Sequence, residues 1–180
     1  MRINSILKVS EANGPGKRGV VWVQGCGRKC EGCFNPKTQS YSGGKEMQVS
    51  SIIKGFNLEE ISGITVSGGE PFDQAEELKE LLELAKKSNL NTLVYSGYTY
   101  KELSLSKRDV LNYCDYLIDG PYKKDIPSKC RWAGSGNQRF LELEKGEIKK
   151  DLTESDEYSK TAEIIIDEAG NITVTGFLEN

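Results

Sequence analysis

Val20-Val21-Trp22-Val23-Gln24-Gly25-Cys26-Gly27-Arg28-Lys29-Cys30-Glu31-Gly32-Cys33-Phe34-Asn35-Pro36 reads as a buried strand that delivers three cysteines on a glycine-bearing loop. Outward from it the same grammar repeats. Ile61–Ser67 is a second core strand and ends in Gly68-Gly69-Glu70-Pro71. Asn91–Ser96 is a third, ending at Gly97, and Tyr116–Asp119 a fourth, ending in Gly120-Pro121. Helical stretches lie between them. Val49–Phe56 is expected to be capped by Ser50 or Ser51, and a second helix to open at Phe72 or Asp73. The second carries an apolar stripe of Leu78, Leu81, Leu82 and Ala85 among charged neighbours. A shorter helix is expected from Tyr100 to Tyr113. Strands alternating with helices predict an α/β protein with a parallel sheet and right-handed crossovers. Ligand sites in such sheets gather at the carboxyl ends of the strands, so all four loops are expected to face one site. A full eight-fold barrel takes about 250 residues, and an open partial (β/α) barrel is expected here instead.

The flanks complete the pattern. Ile3–Val9 alternates as a strand, Asn13-Gly14-Pro15-Gly16 is a turn, and Arg139–Leu143 reads as a further strand. Gly146–Lys160 is charged, polar and expected to be mobile. Ala162–Asp167 and Ile172–Phe177, around Glu168-Ala169-Gly170-Asn171, read as a C-terminal β-hairpin extension. The expected division is residues 1–145 as the main domain and 146–180 as a charged linker with a hairpin tail.

Composition narrows the chemistry. The 180 residues carry 24 basic and 27 acidic side chains, net charge −3, with no basic bias toward nucleic acid. No apolar run reaches the roughly 18–20 residues of a membrane span. Met1-Arg2-Ile3-Asn4-Ser5 lacks the layout of a secretory signal, so a cytoplasmic location is expected. There is no histidine. Ser-His-Asp and Cys-His nucleophile systems, His-ligated zinc and the usual general base are therefore excluded.

The five cysteines are Cys26, Cys30, Cys33, Cys114 and Cys130. The number is odd and sparse for a secreted disulfide framework, which favours a reduced protein. Three of them form C-x3-C-x2-C. Structural zinc wants four tetrahedral ligands, so a zinc knuckle here needs Cys114, Cys130 or a carboxylate as the fourth. A conventional iron–sulfur cluster also wants four thiolates. Three thiolates without a near fourth suggest a cubane that leaves one iron open to a ligand. Glycines 25, 27 and 32 suit a loop that wraps a bulky inorganic core and aims N–H groups at its sulfides. Cys114 reads as a small buried residue.

C-x3-C-x2-C after the first core strand, followed by Gly-Gly-Glu after the next, resembles the radical S-adenosylmethionine (SAM) superfamily. The match extends through Asn13-Gly14-Pro15-Gly16-Lys17-Arg18, Gly32-Cys33-Phe34-Asn35, Ser67-Gly68-Gly69-Glu70-Pro71, Tyr95-Ser96-Gly97-Tyr98-Thr99, Ile118-Asp119-Gly120-Pro121-Tyr122 and Gly134-Ser135-Gly136-Asn137-Gln138-Arg139. In that order these segments are similar to the small activating proteins of glycyl-radical enzymes, over roughly residues 1–140. Gly32, not an aromatic residue, precedes the third cysteine and Phe34 follows it, as in the small activases.

The resemblance implies an open partial barrel of radical SAM type and one 4Fe–4S cluster on Cys26, Cys30 and Cys33. It implies SAM on the open iron, reductive cleavage to a 5′-deoxyadenosyl radical, and hydrogen abstraction from a glycine of a partner such as anaerobic ribonucleotide reductase. The class is a radical SAM oxidoreductase; the alternative is a small radical SAM enzyme acting on another peptide or protein. Flavodoxin or ferredoxin is the implied electron donor. Gly32, Cys33, Phe34, Gly68, Gly69, Glu70, Ser96 and Asp119 are the implied contacts to SAM, with Gly68 and Gly69 allowing close backbone approach and Glu70 accepting from its ammonium. Arg139, with Asn137 and Gln138, is expected to close the site or meet the partner.

Overall fold

The computed structural model describes residues 1–154, 161–166, 170 and 172–177. Its main sheet contains β1 (Arg2–Ser10), β2 (Arg18–Val23), β3 (Lys45–Glu46), β4 (Gly63–Gly68), β5 (Asn91–Tyr95), β6 (Tyr116–Asp119), β7 (Arg139–Glu144) and β8 (Glu147–Asp151). Their order across the sheet is β3-β1-β2-β4-β5-β6-β7-β8. The four central strands β2, β4, β5 and β6 run parallel; β1 and β3 on one flank and β7 and β8 on the other pair antiparallel. The sheet is a mixed α/β layer with β3 and β8 at its edges, and among the described residues it does not close into a barrel.

Parallel neighbours need crossovers, and helices supply them. These are α1 (Val49–Lys54), α2 (Ala75–Lys87), α3 (Tyr100–Ser106) and α4 (Arg108–Leu111). All four pack on one face. Leu78, Leu81, Leu82 and Ala85 of α2 are wholly buried there against Val21, Val66, Val94 and Leu117 of the sheet. Because strand side chains alternate faces, Leu93, Ile118 and Phe140 point the other way. They pack under Cys130, Trp132 and Ala133 from the loop between β6 and β7. Helices thus cover one face and an irregular loop shields the other. No helix is long and apolar enough to cross a membrane among the described residues.

Several boundaries differ from expectation for local reasons. Gln48, not Ser50 or Ser51, caps α1, and no side chain serves as the cap. Pro71–Gln74 forms a 3-10 turn, and α2 starts only at Ala75. The expected helix from Tyr100 to Tyr113 breaks at Lys107, whose φ of −136° is not helical. Glu147–Asp151, expected to be mobile, is an edge strand; all five residues are exposed, so no apolar alternation marks it. The C-terminal hairpin is there, as β9 (Ala162–Ile166) against β10 (Ile172–Gly176). Of its connecting residues, 167–169 and 171 lie outside the described residues, as do 155–160 of the polar stretch.

Arg18 bolts the amino ends of the parallel strands together. It is wholly buried. Its Nε donates to Thr65 Oγ1 at 2.6 Å, Nη1 to Pro15 O at 2.9 Å and to Asn91 Oδ1, and Nη2 to Ile64 O at 2.8 Å. Burial pulls its pKa down to about 10, although Tyr95, Tyr116 and Asp115 oppose the shift. Its bonded acceptors are amide and hydroxyl oxygens, so truncation strands several buried acceptors at once. Arg18→Ala is expected to cost about 3–5 kcal/mol of unfolding free energy in urea titrations.

Candidate functional site at the carboxyl ends of the parallel strands

The cysteine loop leaves β2 at the end predicted. Its legs are pinned by Gly25 N–H to Thr38 O (2.7 Å) and Cys26 N–H to Gln39 O (3.0 Å). Gly32 and Lys29 both adopt left-handed backbone, φ 69° and 48°, which winds the loop back on itself. Cys26, Cys30 and Cys33 are each partly buried, and no disulfide joins them. Asn35 N–H points at Cys33 Sγ, 3.4 Å away. Burial pushes the Cys26 thiol up, while the backbone amides of Arg28 and Lys29 pull it down.

The donor set fits an iron–sulfur cluster: three soft thiols on one loop, with amides aimed at two of the sulfurs. Among the described residues, no three His, Cys, Asp or Glu side chains are grouped to hold a single metal ion. Cys114 is buried in the helix-side core, its Sγ 3.7 Å from Val110 O. Cys130 belongs to the cluster on the opposite face of the sheet.

The loop after β4 is stitched directly to the base of the cysteine loop. Gly69 N–H donates to Val23 O (2.8 Å), and Glu70 N–H to Gly25 O (2.9 Å). A Cβ on Gly69 would overlap the Gly25 carbonyl, and one on Gly68 would lie 2.5 Å from Val23 N. Only glycine allows two backbones this near. The close approach at these glycines is therefore to the chain itself, between the two loops.

Glu70 then braces the next strand end. It is 1% exposed. Its Oε1 accepts from Phe72 N–H (3.1 Å) and Ser96 Oγ (2.9 Å), and its Oε2 from Gly97 N–H (2.8 Å). Burial pushes its carboxyl up to about 7, although those three donors pull against the shift. Tyr98 N–H in turn donates to Ser96 Oγ (3.0 Å). Asp119 is held elsewhere: Arg139 clasps it with Nε and Nη2, and Tyr100 N–H at the start of α3 donates to it at 2.6 Å. Gly32 lies against Lys124, and the exposed Phe34 ring packs 4.8 Å from Tyr122 and 5.1 Å from Phe177.

An open cleft of about 570 Å³ lies above this framework, lined by Gly27, Arg28, Cys30, Tyr41, Asp73, Tyr98 and Pro121. The volume is in the range of small-molecule sites. Tyr41 and Tyr98 both donate to Asp73, at 2.7 and 3.1 Å. Arg28 stacks on Tyr98 with its guanidinium carbon 4.5 Å from the ring centre, its stem lying over Gly97. Of the expected site residues, Cys30 lines the cleft. Glu70 and Ser96 meet in the wall behind it, Gly68 and Gly69 tie that wall to the cysteine loop, and Gly32, Cys33 and Phe34 follow along the loop without entering the lining. Asp119 is engaged with Arg139. Sequence reasoning missed Arg28, Tyr41 and Asp73 as lining. Arg28 lay inside the quoted motif, whereas Tyr41 carried no signal and Asp73 read as a helix start.

A family model described as a 4Fe-4S single cluster domain matches residues 12–141. The anaerobic ribonucleoside-triphosphate reductase-activating protein of Enterobacteria phage T4 is 32% identical over 158 residues, which span 84% of this chain and 100% of that one. The protein of the same name in Escherichia coli K12 is 30% identical over 150 residues, 77% of this chain and 96% of its own. The pyruvate formate-lyase-activating enzyme of Clostridium pasteurianum is 34% identical over 147 residues, 77% of this chain but 60% of its own. The chain belongs to this 4Fe-4S single cluster family, within the radical SAM activating proteins.

The Glu70 carboxyl gives the framework a measurable signature. Its folded pKa of about 7 lies above its ordinary value of 4.5, so the native state holds the proton longer than the unfolded chain does. The group costs nothing when both states are protonated. Its stability penalty grows as pH rises from about 4.5 to about 7, to on the order of 3 kcal/mol, and is constant above. In urea titrations of the metal-free protein at about pH 5 and about pH 8, wild type should lose that amount relative to Glu70→Gln, which cannot titrate.

Proposed function

We propose that this protein is a radical SAM enzyme that activates a glycyl-radical enzyme. The proposed cluster ligands are Cys26, Cys30 and Cys33, and the proposed SAM site is the cleft with its wall of Gly32, Cys33, Phe34, Gly68, Gly69, Glu70, Ser96 and Asp119. On this reading the mixed sheet is the open partial barrel of that superfamily, with the hairpin as its extension, working in the cytoplasm. The observation that carries the reading is the backbone stitch from Val23 and Gly25 to Gly69 and Glu70. It holds a loop of three thiols against a cleft open at the strand ends.

Held by Cys26, Cys30 and Cys33, a cluster would supply one electron to the SAM sulfonium, the reduction that would release methionine and give a 5′-deoxyadenosyl radical able to take a hydrogen atom from a glycine of the partner. The chain's own residues bind, orient and exclude. Tyr41 and Tyr98 offer aromatic faces, Asp73 a carboxylate and Arg28 a guanidinium. That mixture suits an adenosyl group joined to a cationic amino acid. Glu70 locks Ser96 and Gly97 in place, so the wall does not have to reorganise during reaction. Asp119, clasped by Arg139, fixes the start of α3 beside the site.

The relatives named for anaerobic ribonucleoside-triphosphate reductase support that enzyme as the partner. Electrons are proposed to come from flavodoxin or ferredoxin. Residues 24–40 and 120–138 carry seven basic and two acidic side chains in a chain of net charge −3. These segments meet where Lys124 pairs with Glu31, which forms a basic rim for an acidic donor.

The test is anaerobic reconstitution followed by reduction and addition of SAM. Wild type is expected to be brown, to hold about four irons per chain, and to form 5′-deoxyadenosine. Cys26→Ala, Cys30→Ala and Cys33→Ala should each abolish the product, whereas Cys114→Ala should retain it. Product unaffected by the three loop variants, or its absence from protein with a full, reduced cluster, would contradict the proposal.

A further inference from the structure

The C-terminal hairpin carries an apolar face that nothing among the described residues covers. The register pairs Ile172 with Ile166 and Val174 with Ile164, which places all four side chains on one face. Each is between 55% and 67% exposed. The opposite face is fastened down. Glu163 accepts from Ser10 Oγ and from Glu11 N–H, and Asn13 Nδ2 donates to the buried Thr175 Oγ1 at 2.9 Å. An isolated two-stranded hairpin is marginal in water. This one is a platform held by polar bonds beneath, with four branched apolar side chains presented above. Contiguous exposed apolar surface of this kind marks interaction sites.

The platform reaches the end of the cysteine loop. Where its strands close, Phe177 N–H donates to Thr161 O (3.1 Å), and Arg131 Nη2 donates to Thr161 Oγ1 (3.0 Å). Phe177 then packs edge-on against Phe34, which follows Cys33 and is itself 56% exposed. Ile164 and Val174 lie three residues along each strand from that closure, about 10 Å. A macromolecule that presents a glycine beside the cysteine loop comes close to Phe34 and Phe177, and the apolar face lies next along the hairpin.

We propose that the face formed by Ile164, Ile166, Ile172 and Val174 is a docking surface for the glycyl-radical partner enzyme. This rests on the activase reading of the site.

The test uses the full-length, reconstituted protein and the anaerobic ribonucleoside-triphosphate reductase of the same organism. In one variant all four residues become threonine, which keeps β-branching; a milder variant is Ile172→Thr alone. Circular dichroism and thermal melting establish that each is folded. The fourfold variant is expected to bind the reductase at least about tenfold more weakly, and Ile172→Thr to fall between it and wild type. Formation of 5′-deoxyadenosine without partner should stay at the wild-type rate. Equal binding by wild type and the fourfold variant overturns the proposal. So does a wild-type dimer that the fourfold variant turns into a monomer while binding stays unchanged, which would assign the face to a second copy of this chain. If wild type cleaves SAM but does not bind the reductase, the choice of partner fails, and this docking surface with it.

Discussion

The site depends on the approach of two backbones where β2 and β4 end. Val23 and Gly25 accept from Gly69 and Glu70, at a separation that no side chain at 68 or 69 permits. One ladder thereby fixes the start of the cysteine loop to the loop of the neighbouring strand. Glu70, placed by that ladder, reaches across to Ser96 and Gly97 of the third strand end. Three successive strands are joined at their carboxyl ends through one glycine pair and one carboxylate.

Two buried ionisable groups sit at opposite ends of the same parallel strands. At the amino ends, Arg18 satisfies its donors on carbonyl, amide and hydroxyl oxygens and serves as a bolt. At the carboxyl ends, Glu70 is held near neutrality by burial, with its lone pairs directed at amides and a hydroxyl. A charge buried without an ionic partner is costly unless its hydrogen bonds are made. Both groups meet that condition with uncharged backbone and side-chain partners. The polar bonds of Arg18 bind elements that are far apart in sequence, and those of Glu70 hold the wall of the cleft still.

The sequence made the central strands and α2 legible because burial imposes a period. Leu78, Leu81, Leu82 and Ala85 mark a helix that faces a sheet, and each strand end is punctuated by glycine. It hid what no period marks. Glu147–Asp151 is exposed along its whole length, so its pairing with β7 leaves no alternation to read. The break at Lys107 lies within a run that otherwise propagates as helix. Within the site, the cysteines and Gly68-Gly69-Glu70 were visible as a local motif. Tyr41 and Asp73 of the cleft lining were not, because they come from separate segments and meet only through their hydrogen bond. Glu70 was expected to take a ligand's ammonium; what the structure adds is that both of its oxygens also accept from the chain's own donors. Such satisfaction depends on Ser96 and Gly97, which lie more than twenty residues away.

Electron paramagnetic resonance of the reduced, reconstituted protein, with SAM labelled by oxygen-17 in its carboxylate, tests the central reading most directly. SAM seated in the cleft beside a cluster on Cys26, Cys30 and Cys33 predicts that its addition shifts the cluster signal and introduces hyperfine coupling to the label. A signal that neither moves nor couples, in protein with a full and reduced cluster, would contradict it.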